Sequence, residues 1–493
     1  MAISNLQKDE IGLTFLLNQM SADSPYGAEK IKDIELFKAE VFKEETNRED
    51  ALEECFGNIE KVIELIKSEP DCLHDIRRFL MSFKNIRKAV ARCCESYLNE
   101  VELFEVKSFL LSLEKFINSF NRVNAKASIK GIAFTAMDAA LDILDPEKKR
   151  IAPFSISERY SKALHDIRQE KAQIEELFYK ENDSGKKADL NIQRLEILGR
   201  EEAEETLIKQ ELSKRLAPFV SSFNENMDNI GKLDLLIQKA ELAIKNNAVR
   251  PVVGRKRSLQ IENMFNPMVA SSLSLKGKTF TPVSINLVQG VTVITGANMG
   301  GKSVALKTVT LNVLLCQMGF FVCARKAEIP LFDDVFIIAG DLQDLEKGLS
   351  NFGAEIIRFN EIALRMKGAF LFVALDEFAR GTNPEEGAVI ARAVASCLAE
   401  KESICVLTTH YDNVAASANA HYQIAGLSAS TSEEIEKQTA IGGIDGISAL
   451  MDYRIVKAGK QTPPRDALRI CRILGLDDDI INRIESYYSS PKI

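Results

Sequence analysis

The chain's 493 residues are 46% hydrophobic and 27% charged, enough to bury a substantial core in roughly two to four domains. Its net charge of −8 gives no general pull toward nucleic acid, though it leaves room for a local basic patch. No apolar run is long enough to span a bilayer, the N-terminus has no signal-peptide pattern, and the nine scattered cysteines include no C-x-x-C pair; the expectation is a cytoplasmic chain with reduced thiols, not a disulfide framework, a zinc protein or a membrane span.

From residue 5 to about 248 the pattern is almost wholly helical. Leu103, Val106, Leu110, Leu113, Ile117 and Phe120 recur at spacings of three and four, one apolar stripe on a long helix. Phe223, Ile230, Leu233, Ile237, Ala240 and Ile244 form a second such seam. Between them Asp145-Pro146-Glu147 is a turn signal between short apolar runs and predicts a small hairpin. Residues 155–215 read as two antiparallel helices. The first carries Tyr160, Leu164, Ile167, Ile174 and Phe178 on one face, the tip is 181–187, and the return runs from about Leu190 to Leu216. Arg250-Pro251-Val-Val-Gly254 reads as a linker. From there to about 427 short β-branched runs alternate with helical patterns, the signature of an α/β domain. The tail opens with a Ser/Thr/Gly-rich stretch, 428–446, and ends in two helical segments, Pro464–Leu474 and Asp477–Tyr488. The expected domains are a helical core or lever (1–154), an antiparallel arm (155–216), a returning helix and linker (217–254), the α/β domain (255–427) and the tail with its helix pair (428–493).

Chemistry concentrates in the α/β domain. Gly296, Gly301, Lys302 and Ser303 spell G-x-x-x-x-G-K-S between the strand-like run Val291–Thr295 and a helical run from Val304. That context makes a phosphate-binding loop: backbone N–H groups and a helix N-terminus cradle phosphates, Lys302 reaches the β/γ-phosphates and Ser303 holds Mg²⁺. Downstream, the apolar run Phe370–Leu375 ends in Asp376-Glu377. A carboxylate at a strand end beside the loop can hold the metal through water, and the adjacent glutamate can orient or deprotonate an attacking water. A further strand, Ile404–Thr409, ends at His410, placed to sense a γ-phosphate.

TGANMGGKS, LSNFGAE (349–355), DEFARGTNPEEG (376–387) and TTHY (408–411) resemble the ATPase of the MutS family, a branch of the ABC-type P-loop ATPases. The family's loop usually reads G-P-N-M-x-G-K-S; here Ala297 replaces the proline, which leaves the backbone and Lys302 contacts intact. The resemblance implies ATP and Mg²⁺ as cofactors, with Asn298 and Gly300 joining the nucleotide site. It implies that Ser350, in the signature Ser350-Asn351-Phe352, binds the γ-phosphate held by an opposing subunit, so that a homodimer completes two sites. It places Gln343 where a metal- or water-sensing glutamine lies, and Phe280 where an aromatic often lies near adenine; an ordinary core role for Phe280 fits equally. The fold class is therefore multidomain α and α/β: a helical lever and arm, an ABC-type P-loop α/β ATPase domain and a C-terminal helix pair.

Mismatch-reading members carry a Phe-x-Glu wedge on an extra N-terminal domain. Phe42-Lys43-Glu44 has those letters but sits in a charged helical stretch, and it is read as coincidence. The wording resembles the second MutS subfamily, whose small C-terminal nuclease domain is expected to be absent, so a short form is anticipated. Leu144–Ile151 and Pro464–Arg469 also resemble the MutS-like reactivases of cobalamin-dependent lysine 5,6-aminomutase. The expected function is an ATP-hydrolysing conformational switch that clamps or remodels a client. Two clients stay open: duplex or branched DNA in repair or recombination, and a protein such as an aminomutase. The arm, with 12 Lys/Arg against 14 Asp/Glu, leans away from DNA.

Overall fold

The computed structural model describes residues 3–36, 48–296, 301–339, 351–411, 413–427, 451–458, 468, 471 and 475–489. Phe42-Lys43-Glu44, Asn298, Gly300, Gln343, Ser350, the stretch 428–446 and most of Pro464–Leu474 lie outside the described residues. The chain divides into two compact units, one of residues 1–20, 34–57 and 241–493 and the other of residues 21–33 and 58–240.

Helices in chain order up to residue 245 are α1 (Asn5–Ile11), α2 (Leu13–Leu17), α3 (Pro25–Lys32), α4 (Arg48–Ser68), α5 (Pro70–Ser82), α6 (Arg87–Arg92), α7 (Glu100–Ala127), α8 (Asp138–Leu144), α9 (Lys162–Lys180), α10 (Ser184–Leu216) and α11 (Val220–Lys245). The helical unit is organised around α7. Asn99 and Glu102 close a reciprocal capping box at its start. Its buried face holds Leu103, Val106, Leu110, Leu113 and Phe120 as expected, but also Phe109 and Phe116. Those rings build an aromatic cluster: Phe116 lies 5.5 Å from Phe83 and 5.0 Å from Phe134, and Phe109 lies 6.0 Å from Phe223. Ile117 is only half-buried, so the stripe turns toward the larger rings, whose burial stabilises more. On α11 the predicted seam is buried from Phe223 to Ala240, whereas Ile244 is exposed.

The expected hairpin at Asp145-Pro146-Glu147 is instead the exit of α8. The Asp145 carbonyl accepts from the Lys148 N–H at 2.8 Å and its carboxylate from the Arg150 N–H at 2.8 Å. The buried Lys107 ammonium lies 3.3 Å from that carboxylate. Beyond it, α9 and α10 pack side by side. Arg168–Glu201, Glu170–Arg200 and Glu175–Arg194 pair with one number rising as the other falls, so the two helices are antiparallel. The tip is shorter than expected: α10 starts at Ser184, because the Asp183 carboxylate accepts from the N–H groups of Gly185 and Lys186 and caps it.

Among the described residues the α/β unit holds two sheets. Its elements are β1 (Val252–Gly254), β2 (Ser258–Met264), α12 (Pro267–Leu275), β3 (Val283–Val288), β4 (Gly290–Thr295), α13 (Lys302–Gln317), β5 (Lys326–Pro330), β6 (Asp334–Ile338), α14 (Asn351–Arg365), β7 (Leu371–Asp376), α15 (Pro384–Ala399), β8 (Ile404–Thr408), β9 (Ala420–Leu427), β10 (Met451–Lys457) and α16 (Asp478–Ser489). The smaller sheet has the order β1-β5-β2-β3. The larger has the order β10-β9-β4-β8-β7-β6, parallel throughout except for β10 at its edge. β4, β6 and β8 are buried at every position, which is why they read as continuous apolar runs and not as alternation. By contrast β3 alternates strictly between buried and exposed. α13 is buried nearly all round; its buried polar residues Thr308, Thr310 and Asn312 bond back to carbonyls of their own helix. The N-terminal helix α1 packs against it in the same unit: Gln7 Nε2 donates to the Ile337 carbonyl at 2.8 Å, and Glu10 pairs with Lys307 at 3.3 Å. Among the described residues no helix is long and apolar enough to cross a membrane.

Candidate nucleotide site

The site lies where parallel strands end, the usual position for ligands in such sheets. Register brings three strand ends level: Ile294 on β4 faces Thr408 on β8, and Thr408 faces Asp376 on β7. From β4 the chain enters the glycine loop at Gly296, with φ 148°, and leaves it at Gly301, with φ 91°. Side chains rarely adopt either conformation, and a Cβ on Gly301 would lie 3.1 Å from the Tyr453 ring. Among the described residues no side chain caps α13, and a helix N-terminus at the end of a glycine loop suits an anion.

Lys302, the first residue of α13, is buried and donates from Nζ to the Gly296 carbonyl at 2.8 Å. Burial holds its ammonium below the ordinary lysine value, against the pull of the Glu377 and Asp376 carboxylates. Ser303 Oγ donates to Asp376 Oδ1 at 3.0 Å. A hydroxyl and a carboxylate this close are hard oxygen donors, a set that suits Mg²⁺.

Glu377 has φ 49° and Ala379 φ 64°, a left-handed conformation that costs energy in non-glycine residues and concentrates at functional sites. Its carboxylate faces three cationic or cation-forming groups. Arg380 Nη1 lies 2.8 Å away, Lys302 Nζ 3.7 Å and His410 Nδ1 3.9 Å. Contacts from α14 hold the segment behind it. Glu355 accepts from the Ala379 N–H at 3.0 Å, and Phe352 packs against Gly381. Tyr411 Oη donates to the Ala379 carbonyl at 3.2 Å. The remainder of the DEFARGTNPEEG stretch starts a helix. Asn383 caps α15, Pro384 takes its first position, and Glu385 and Glu386 lie in its first turn.

Of the residues singled out in the sequence, Gly296, Gly301, Lys302, Ser303, Asp376, Glu377 and His410 come together here. Phe280 is half-buried between α12 and β3, and no hydrogen bond or ring contact among the described residues joins it to this group. Sequence reasoning gave no role to Thr408 and Arg380, quoted only as letters of TTHY and DEFARGTNPEEG, or to Tyr453. Thr408 had one signal: it is a hydroxyl closing an otherwise apolar buried strand.

The MutS domain V family matches residues 292–471. Among curated proteins, the chain is 34% identical to an "Endonuclease MutS2" of Ligilactobacillus salivarius over 42% of this chain and 26% of that protein. It is 32% identical to the "Endonuclease MutS2" of Finegoldia magna over 60% of this chain and 35% of that protein. The same identity holds for the "Endonuclease MutS2" of Caldicellulosiruptor bescii, over 61% and 36%. The chain thus spans about a quarter to a third of the length of these relatives.

Proposed function

We propose that this chain, which carries the ATPase domain of the MutS family, binds ATP with Mg²⁺ and hydrolyses it to drive a conformational switch. The carrying observation is the meeting of Lys302, Ser303, Asp376, Glu377 and Thr408 at the ends of β4, β7 and β8. Lys302 and the α13 N-terminus take the β- and γ-phosphates, with Asn298 and Gly300 of the same loop. Ser303 and Asp376 would hold Mg²⁺, and Gln343 is the proposed metal- or water-sensing glutamine. The ion supplies charge neutralisation on the phosphate oxygens when bound. Glu377 orients a water and accepts its proton as the water oxygen attacks the γ-phosphorus and the bond to the β-phosphate oxygen breaks. His410 contacts the γ-phosphate and registers its loss; for Phe280 a place near adenine and an ordinary core role both stay open. Ser350 of a second copy completes each site, so the working form is a homodimer. Two shapes, ATP-bound and ATP-free, then differ in affinity for a client.

Nucleic acid is one client class, and the family likeness favours it. A protein client is the second, favoured by the arm. There Arg168, Lys171, Lys180, Arg194 and Arg200 are all held by the arm's own carboxylates, and Leu177, Tyr179, Ile192 and Leu195 are exposed. An aminomutase is a candidate of that class. Steady-state ATPase of the purified chain with and without linear and branched duplex DNA, at two salt concentrations, separates them. Stimulation that falls with salt means a nucleic-acid client. Turnover indifferent to DNA means a protein client, and no turnover at all would end the ATPase reading.

A further inference from the structure

We infer that Thr408 is a positioning residue that fixes both members of the Asp376-Glu377 pair, an inference that rests on the ATPase reading of this site. Thr408 is fully buried at the end of β8, after Ile404, Cys405, Val406 and Leu407. A hydroxyl in such a place is costly unless bonded, and valine has the same shape and a higher strand preference. Packing alone therefore does not call for threonine.

Both capacities of the hydroxyl are used. It donates to Asp376 Oδ1 at 2.6 Å and accepts from the Glu377 N–H at 3.0 Å. The Glu377 N–H is shared with the Thr408 carbonyl at 3.1 Å. One side chain thus orients the carboxylate proposed to hold the metal and pins the backbone of the proposed base, at the residue whose φ is 49°. The second donor to Asp376, Ser303, rides on α13, whereas Thr408 belongs to the strand paired with β7. Its hold on Asp376 is set by sheet register, independent of the helix that carries the phosphate loop. The next residue along, Thr409, donates from its N–H to the Ile294 carbonyl at 3.1 Å. The end of β8 is therefore tied to the strand that feeds the loop on one side and to the carboxylates on the other.

The test compares full-length wild type, Thr408→Val and Thr408→Ser, all first checked for an unchanged thermal transition. Binding of a fluorescent ATP analogue is measured in EDTA and across a Mg²⁺ titration, and steady-state turnover is measured at saturating Mg²⁺-ATP. Thr408→Val should raise the Mg²⁺ concentration for half-maximal binding and lower kcat, each about tenfold, the usual scale for residues that orient a metal ligand. Its Mg²⁺-free affinity should not change, and Thr408→Ser should track wild type. The inference is overturned if Thr408→Val matches wild type in the Mg²⁺ titration, if Val and Ser fall together, or if Mg²⁺-free binding collapses as well. A wild type that binds Mg²⁺-ATP without turnover would sink the ATPase reading, while the Mg²⁺ titration still decides the role of Thr408.

Discussion

The Glu377 carboxyl lies among Arg380, Lys302 and His410 on a left-handed backbone. If it accepts the proton of the attacking water, Glu377→Gln should keep nucleotide affinity and lose kcat by about 10²- to 10⁴-fold, the range for a general base. A binding assay run beside a phosphate-release assay separates the two, and a Gln variant with normal turnover would remove Glu377 from the role. Glu355 gives a prediction of different kind. Burial raises its carboxyl above the ordinary glutamate value, only partly offset by the Ala379 N–H. The folded chain thus keeps a proton that the unfolded chain releases. Stability from this group is full below the unfolded value and is lost as pH rises through the raised one. Glu355→Gln still accepts from Ala379 and cannot ionise. Its melting temperature should fall less than that of wild type between about pH 5 and pH 8; parallel curves would mean that Glu355 ionises normally. Lys302, Ser303, Asp376 and Glu377 were legible because each sits in a short motif whose spacing is fixed by chemistry. Thr408 was legible only as the hydroxyl that closes an apolar strand and as the first letter of TTHY; its role was not, because in sequence a threonine in such a run looks like any strand former.

Element boundaries follow local bonds that can be broken singly. Asp183 accepts two N–H groups at the first turn of α10. Asp183→Ala should cost about 0.5–2 kcal/mol locally, seen as faster amide exchange at 184–187 with the exchange of α7 unchanged. Equal protection in both proteins would show that the turn holds without its cap. Lys107 and Asp145 are a buried pair whose lysine also donates to the Pro153 carbonyl at 3.2 Å. Removing one partner strands a charge. Lys107→Met alone should destabilise by about 3–5 kcal/mol, and Lys107→Met with Asp145→Leu should regain most of it. Denaturant melts of the single and double variants check this; a double variant no better than the single would mean that the bond from the Arg150 N–H to the Asp145 carboxylate, not the charge pair, holds the segment. Long helices were legible from their periodicity. The misreadings came where one polar side chain overrode a pattern: Asp183 started α10 ahead of its apolar run, and Asp145 made a helix exit resemble a hairpin turn. The packing of α1 on the Ile337 carbonyl, through Gln7, had no local signal, because a single glutamine carries no information about a partner 330 residues away.

At the scale of the molecule, the proposed reading has the site shared between two copies, and that sharing can be tested without knowing the client. If Lys302 of one chain and Ser350 of the other serve the same nucleotide, Lys302→Ala and Ser350→Arg should each be inactive alone. Mixing them forms heterodimers. In each, one site has lost both residues and the other is intact, because the Ser350→Arg chain supplies a normal loop and the Lys302→Ala chain a normal serine. Random pairing of equal amounts makes half the dimers mixed, each with one working site of two, so turnover should return to about a quarter of wild type. The recovery should depend on total protein concentration and on time allowed for exchange. Wild type mixed with the inactive Lys302→Ala chain offers a control: each wild-type loop still meets a normal serine, so turnover per wild-type chain should not fall when the two sites turn over independently. If the mixture stays inactive after exchange has been shown by a tagged pull-down, each chain hydrolyses ATP with its own residues alone, and Ser350 has no part in a neighbour's site.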